Sequence, residues 1–431
     1  METKHYPHLG EQVIYDALPN GLQIAIVPRR DFSKKLAYFV TDYGAIHTDF
    51  TLNGAHFTAP QGVAHYLEHK LFDMPDGRDV SAEFAALGAN VNAFTSYDMT
   101  AYYFSCTENF SQCLALLLEF VSTPYFTHES VQKEQGIIGQ EIDMNEDAPD
   151  TKVFELLMQA MYREHPIRYP ILGTRKTIAQ ITPELLTQCH KAFYAPENML
   201  LCIIGDVDVQ AVRKIALAKL PEKGDNKLMR QRNWDEAMRC VHDLVESRMD
   251  IAMPMFQIGF KCEPIPNGTQ GAVQEIIGDL AAEALFGESS CLYLQLYEQG
   301  LIDASFGGGF EAVEGMAMLS LSGESEHPEK IRDAVIAQAQ VLVNEGISDE
   351  DFLRMKRSAM GRRICALDSF DSTAFRICAY HFSKFDYFDF PQLYVQVALS
   401  DIQAFLKRVV TPERCCLSII RPHEQEETKH E

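Results

Sequence analysis

Residues 194–206 read "YAPENMLLCIIGD", and residues 410–422 read "VTPERCCLSIIRP". Pro196 and Glu197 match Pro412 and Glu413, and Ile203-Ile204 match Ile419-Ile420, at a constant offset of 216 residues (412 − 196 and 419 − 203). Each segment follows an amphipathic helical pattern, "PELLTQCHKAF" or "SDIQAFLKRVV". A helix, a Pro-Glu turn and a closing strand therefore recur half a chain apart, which predicts two copies of one α+β unit. The length fits this reading. At 431 residues and 48.7 kDa the chain exceeds what one core ordinarily organises. The polar stretch 221–235 separates the copies and predicts a linker between domains at 1–220 and 236–431.

Composition narrows the function. Apolar residues make up 46% of the chain, enough for well-buried cores, and the net charge is −23. So negative a surface argues against nucleic acid as a partner. It is compatible with basic or neutral peptides, and equally with an acidic surface that only keeps the protein dispersed. The 11 cysteines are scattered, with no CxxC pair, which predicts free buried thiols in a reducing compartment. "METKHYPHLGEQVIYDALPNG" at the start has early acids and no apolar run, and "CLALLLEFV" is too short to span a bilayer. The expectation is a cytoplasmic protein without a membrane segment.

Along the first half, "NGLQIAIVPR" (20–29) and "LAYFVTDYGA" (36–45) predict strands, and "NVNAFTSYDMTAYYFSC" (90–106) predicts one or two more. "NFSQCLALLLEFVSTPYF" (109–126) predicts a helix ending near Pro124, and 128–147 another stopped by Pro149. "GVAHYLEHKLF" (62–72) carries apolar residues at Val63, Leu67 and Leu71, one stripe of a helix. His65 and His69 then share a face, roughly 6 Å apart along the axis. Two histidines so placed can each give a nitrogen to one zinc ion, and Glu68 can reach a zinc-bound water without being a ligand. The pattern alone leaves open an ordinary polar face of a surface helix. A third ligand is sought in "KEQGIIGQEIDMNED", where Glu134 and Glu141 share a helix face about two turns apart. One can bind the metal while the other supports a ligand from behind, or both can be surface acids.

Taken together, these segments resemble the pitrilysin and insulysin family of inverted-motif zinc peptidases, which includes the mitochondrial processing peptidase. "LPNGLQIAIVP" is similar to its opening strand, "GVAHYLEHKLF" to its metal helix, and "GANVNAFTSYDMTAYYF" to its substrate-edge strand. "EQGIIGQEI" is similar to its third-ligand helix, "HPIRYPILGT" to the loop beyond, and "LLCIIGDV" to the end of its first half-domain. The resemblance implies two homologous α/β-sandwich half-domains, each a mostly antiparallel sheet with helices on one face, together half of a clamshell. It implies one zinc ion held by His65, His69 and Glu141, with Glu68 as the base. Glu134 joins the catalytic set as the acid behind a ligand. Asn92, Ala93 and Phe94 match the strand that pairs with substrate backbone. Zinc would then activate water for attack on a peptide carbonyl, with Glu68 moving the proton.

The second half departs from the family. At the 216-residue offset His65 falls on Ala281, Glu68 on Ala284 and His69 on Leu285, and residues 234–431 hold no H-x-x-E-H. The family normally carries an Arg and a Tyr seven residues apart in a stretch resembling "LREKRGLAY". Here "LYEQGLIDA" puts Tyr297 and Ala304 at those places. Either a partner chain supplies the pair or activity is weak. The leading reading is a zinc endopeptidase subunit completed by a homologous partner, a heterodimer or possibly a homodimer, although a homodimer would not restore the pair. The alternatives are a non-catalytic assembly subunit and a zinc-dependent peptide-binding module.

Overall fold

The structure is a computed structural model, and it describes residues 1–232 and 234–423. Asn233, within the expected linker, and 424–431, at the end of the expected second domain, lie outside the described residues. The chain forms two compact units. One comprises Met1–Ile142, Pro170–Gln231 and Arg363–Asp389; the other comprises Asp143–Tyr169, Arg232–Arg362 and Phe390–Glu431.

The first unit is built on a seven-stranded sheet. Its spatial order is Glu2–Tyr6, Glu11–Ala17, Gln23–Val27, Met199–Ile204, Lys35–Thr41, Thr100–Cys106, Asn90–Thr95. Neighbours are antiparallel, except that Gln23–Val27 runs parallel to Met199–Ile204. Every residue of Met199–Ile204 is buried, as an unbroken "MLLCII" run in a central strand requires. Stretch 90–106 forms two strands around a turn in which the Ser96 hydroxyl donates to Asp98 at 2.9 Å. A small separate sheet joins Leu228–Arg230, from the polar 221–235 stretch, to Asp49–Leu52 and Ala55–Thr58.

The second unit repeats the inner pattern. Its order is Leu244–Met249, Cys415–Pro422, Met255–Cys262, Met316–Glu324, Gly307–Val313. Cys415–Pro422 pairs parallel with Leu244–Met249 and antiparallel with Met255–Cys262. The two closing strands predicted from the repeat thus hold the same place in their sheets. Each follows a 3-10 turn, Pro196–Asn198 or Pro412–Arg414, and a helix, Pro183–Phe193 or Leu399–Val409.

Two segments pack away from their neighbours in sequence. The helix Pro149–Met161 lies on the second unit's sheet, where Lys261 donates to the Met161 carbonyl at 2.9 Å. The helix Phe370–Phe382 lies on the first unit's sheet, and just after it Asp386 accepts from Tyr6 at 2.6 Å and Tyr15 at 3.1 Å. Pro149 ends one helix and also opens the next, at a first-turn position where its missing N–H costs nothing. All 11 cysteines are free thiols, and nine of them are buried, so packing rather than cross-linking holds both units.

The helix Val63–Lys70 starts on Gly62, whose φ is +90°. A Cβ there would lie 2.4 Å from the Leu172 carbonyl oxygen, and one on Gly173 would lie 2.4 Å from that of Gln61. The two chain segments touch backbone to backbone, which sets where the helix begins. Gly88 has a similar φ of +74° with open space around it. Gly62→Ala should therefore destabilise the protein by about 2 kcal/mol or more, and Gly88→Ala by about 1 kcal/mol. Urea unfolding measures both. Equal losses would mean that the Leu172 contact contributes nothing.

Candidate metal centre

The helix Val63–Lys70 buries Val63, Tyr66 and Leu67 in the core, and Leu71 just beyond it is buried too. That stripe fixes the helix's rotation. His65 and His69 are left to face the helix His128–Glu146, itself anchored by the buried Val131, Ile138 and Ile142, while Glu68 meets Thr95 of the strand Asn90–Thr95. The His65 and His69 rings sit 4.6 Å apart between centroids. His65 Nε2 is 3.6 Å from Glu141 Oε1, and His69 Nε2 is 3.5 Å from Glu141 Oε2. One donor atom from each of the three residues falls within 4.8 Å of the others. Bonds of about 2.0–2.1 Å in a tetrahedral zinc site put ligand atoms roughly 3.3 Å apart, close to these spacings.

The donors also suit the ion chemically. Glu141 Oε2 is buried and accepts no hydrogen bond from any described residue. Such an oxygen is costly to bury unless something cationic meets it. Two imidazoles and one carboxylate are a zinc-compatible set that leaves a fourth position open.

Glu134 and Glu141, undivided by spacing alone, stand in different places. Glu134 Oε1 accepts from His69 Nδ1 at 3.0 Å, on the side of the ring away from Glu141. This bond fixes the ring's orientation and leaves Nε2 as the donor to a metal. Burial pushes the His69 pKa down, but its hydrogen bond to Glu134 and the charges of Glu68, Glu134 and Glu141 outweigh it and hold the imidazole above its ordinary value. Burial opposes ionisation of Glu134, yet His69 holds it below the usual carboxylate range. Glu141 is held low chiefly by His65, against its own burial.

Glu68 differs from both. It is buried, its Oε2 accepts from the Thr95 hydroxyl at 2.5 Å, and burial raises its pKa despite the opposing pull of His65, Thr95 and His69. Thr95 was not singled out in the sequence. The signal was strand alternation, since Thr95 lies two residues past Ala93 and so on the same face. Asn92, Ala93 and Phe94 lie in Asn90–Thr95, the outermost strand of the sheet. It pairs only with Thr100–Cys106 among the described strands.

In the second unit, Ala281 and Leu285 are fully buried in the helix Thr269–Phe286. Tyr297 is exposed at the end of the helix Cys291–Glu298 and stacks on Tyr293, with ring centroids 6.1 Å apart. Ala304 lies in an exposed turn before Gly307–Val313.

Comparisons with known proteins agree with this architecture. The family described as Insulinase (Peptidase family M16) matches residues 54–175, and the Peptidase M16 inactive domain matches residues 180–359. A Bacillus subtilis (strain 168) protein named "Uncharacterized zinc protease YmfH" is 35% identical over 422 residues, 97% of this chain and 98% of its own. The chain belongs to the M16 (insulinase) family. A putative M16-like peptidase from Alicyclobacillus acidocaldarius has the same fold at a TM-score of 0.91 and 30% identity, covering 96% of this chain and 99% of that one. Pitrilysin shares the fold at a TM-score of 0.76 and 15% identity, and the match spans 96% of this chain but 45% of pitrilysin. This M16 chain is thus an α/β protein with the zinc-protease-like fold of two repeated units. Among its described residues no helix is long and apolar enough to cross a membrane.

The geometry predicts that the purified chain takes up one zinc ion. His65→Ala or His69→Ala should abolish uptake, because two remaining ligands hold zinc weakly. Glu134→Gln should weaken it by about 10–100-fold through the loosened His69 ring. Metal analysis after competition with a chelator measures all three, and full occupancy in either histidine variant would remove the assignment.

Proposed function

We propose that this chain is the zinc-binding subunit of an endopeptidase that cuts peptides or flexible protein segments. One arrangement carries the reading. His65, His69 and Glu141 converge within 4.8 Å, while Glu68, on the same helix as the two histidines, is kept apart by its Thr95 hydrogen bond and a raised pKa. A zinc ion held there would acidify water and polarise a peptide carbonyl.

The chain's own residues do the rest. Glu68 takes a proton on its carboxylate and delivers it to the departing amine nitrogen. Its burial favours the protonated form between those transfers, and the Thr95 hydroxyl orients it. Glu134 holds the His69 ring. Asn92, Ala93 and Phe94 offer the free edge of Asn90–Thr95, onto which an extended peptide adds as a further strand. Main-chain pairing of that kind accepts many sequences.

Tyr297 and Ala304 supply no equivalent of the family's Arg and Tyr. A homologous partner chain carrying that pair would complete the site. A net charge of −23 favours a less acidic partner over a second copy at low salt. Eleven free thiols support a reducing, cytoplasmic setting. The missing pair also favours a second reading, a non-catalytic assembly subunit of the same fold.

Glu68→Gln separates the two readings. It keeps the side chain's shape but cannot accept a proton. Zinc content should stay at one per chain, while cleavage of a quenched fluorescent peptide falls by about 10²-fold or more. Wild-type turnover with zinc present would remove Glu68 as the base. Absence of Glu68-dependent cleavage in the native assembly would favour the non-catalytic reading.

The partner is tested by titration. Native co-purification identifies the candidate chain, which is then mixed with the isolated subunit. Turnover should rise by about 10²–10³-fold, the usual effect of one oxyanion donor. An isolated chain as fast as the mixture would show that no outside donor is needed.

A further inference from the structure

The two faces of Asn90–Thr95 differ sharply. Val91 and Ala93 pack against the core, and the Thr95 hydroxyl reaches Glu68, so the odd-numbered residues face the metal helix. Asn92 and Phe94 point to the other face of the sheet. Their cross-strand partners are Tyr103 and Ala101, and Tyr103 stacks on Tyr38 with centroids 4.5 Å apart. Phe94 lies 6.2 Å from the Tyr103 ring and 6.5 Å from Tyr38.

A residue remote in sequence completes this patch. Phe375, on the helix Phe370–Phe382, stands 5.9 Å from the Phe94 ring. It is 43% exposed, whereas Cys378 and Ile377 on the same helix are buried. What sets this ring apart from other exposed apolar side chains is its place against Phe94 beside the sheet's free edge.

We propose that Phe375 and Phe94 form a specificity platform that receives apolar or aromatic side chains of a peptide bound along Asn90–Thr95. This rests on the reading of that strand as the substrate edge. The argument is register. Cross-strand neighbours in a sheet project their side chains to the same face, and successive residues alternate. A peptide residue level with Ala93 or Thr95 therefore points toward Glu68. A residue level with Phe94 points toward Phe375. Of any two consecutive residues on the bound strand, including the two that flank a cut bond, one faces the platform. Backbone pairing supplies sequence-independent binding, and the platform adds a preference at every second position.

The test measures binding without turnover. The probe is a fluorescent ten-residue peptide in which Phe alternates with Ser, compared with the same peptide carrying Ser at the Phe positions. Anisotropy is read with the zinc-loaded full chain in the Glu68→Gln background. The Phe peptide should bind about tenfold more tightly, the effect of partly burying an aromatic side chain. Phe375→Ser should remove that advantage and leave the Ser peptide's affinity unchanged. Phe375→Leu should keep most of it. Equal zinc content in all variants confirms that the metal site is intact. An advantage that persists in Phe375→Ser, or that is absent from the parent protein, overturns the platform. Loss of Glu68-dependent cleavage bears instead on the proposed function, so the two failures are distinguishable.

Discussion

An eight-residue helix with two imidazoles and a carboxylate turned into a protein interior is expensive to fold, and the first unit is arranged around that expense. His65 and Glu68 are buried alongside Tyr66 and Leu67. Polar groups removed from water destabilise unless each finds a partner. Here Thr95 serves Glu68, Glu134 serves His69, and Glu141 lies against both histidines. The partners come from two other elements, a sheet edge and a long helix. The site therefore exists only when strand, short helix and long helix are all in place. The apolar stripe of Val63, Leu67 and Leu71 sets the rotation, and the Gly62–Leu172 contact sets the start.

The carboxylates around this helix illustrate how environment separates like groups. Glu134 and Glu141 sit against imidazoles and are held below the usual range, whereas burial dominates at Glu68 and lifts it. The two acids of the long helix thus favour the anionic form, as the proposed ligand and its support would require. The third accepts a proton more readily, as the proposed proton carrier would require. Three glutamates on two helices acquire different chemistry from what each one touches.

Much of this was legible in the sequence because it is local. The stripe at 63, 67 and 71 and the pair at 65 and 69 follow from helical periodicity. The repeat at 194–206 and 410–422 identified the closing strands, since Pro-Glu turns and Ile-Ile pairs survive as written letters. The roles of Glu134 and Glu141 were not separable by spacing, because both share one helix face. Only the placement of the partner helix puts one beside Nε2 and the other beside Nδ1. Phe375 was invisible for a related reason. It lies 281 residues from Phe94 (375 − 94), and no periodicity links a surface ring to a strand so distant. The helix Pro149–Met161 was missed because Pro149 was read only as a stop, when a proline can equally serve as a first helical residue.

The second unit shows what the same topology does without the polar cluster. At the 216-residue offset Glu141 falls on Arg357 and Glu134 on Glu350, both in the helix Asp349–Cys365. At the position matching Glu141 the second repeat thus carries an exposed, permanently charged cation, a residue type that cannot ligate a divalent ion. Ala281 and Leu285, at the histidine places, are fully buried hydrophobics. Thr95 falls on Glu311, which burial keeps above its ordinary pKa and whose Oε1 accepts from Ser320 at 2.6 Å. Its carboxyl is engaged with its own sheet and does not orient a base. Sheet order tolerates all of these exchanges because it depends on strand register and central apolar runs. The candidate metal centre depends on three facing side chains of the right charge, so one repeat can keep the fold while only the other keeps that cluster.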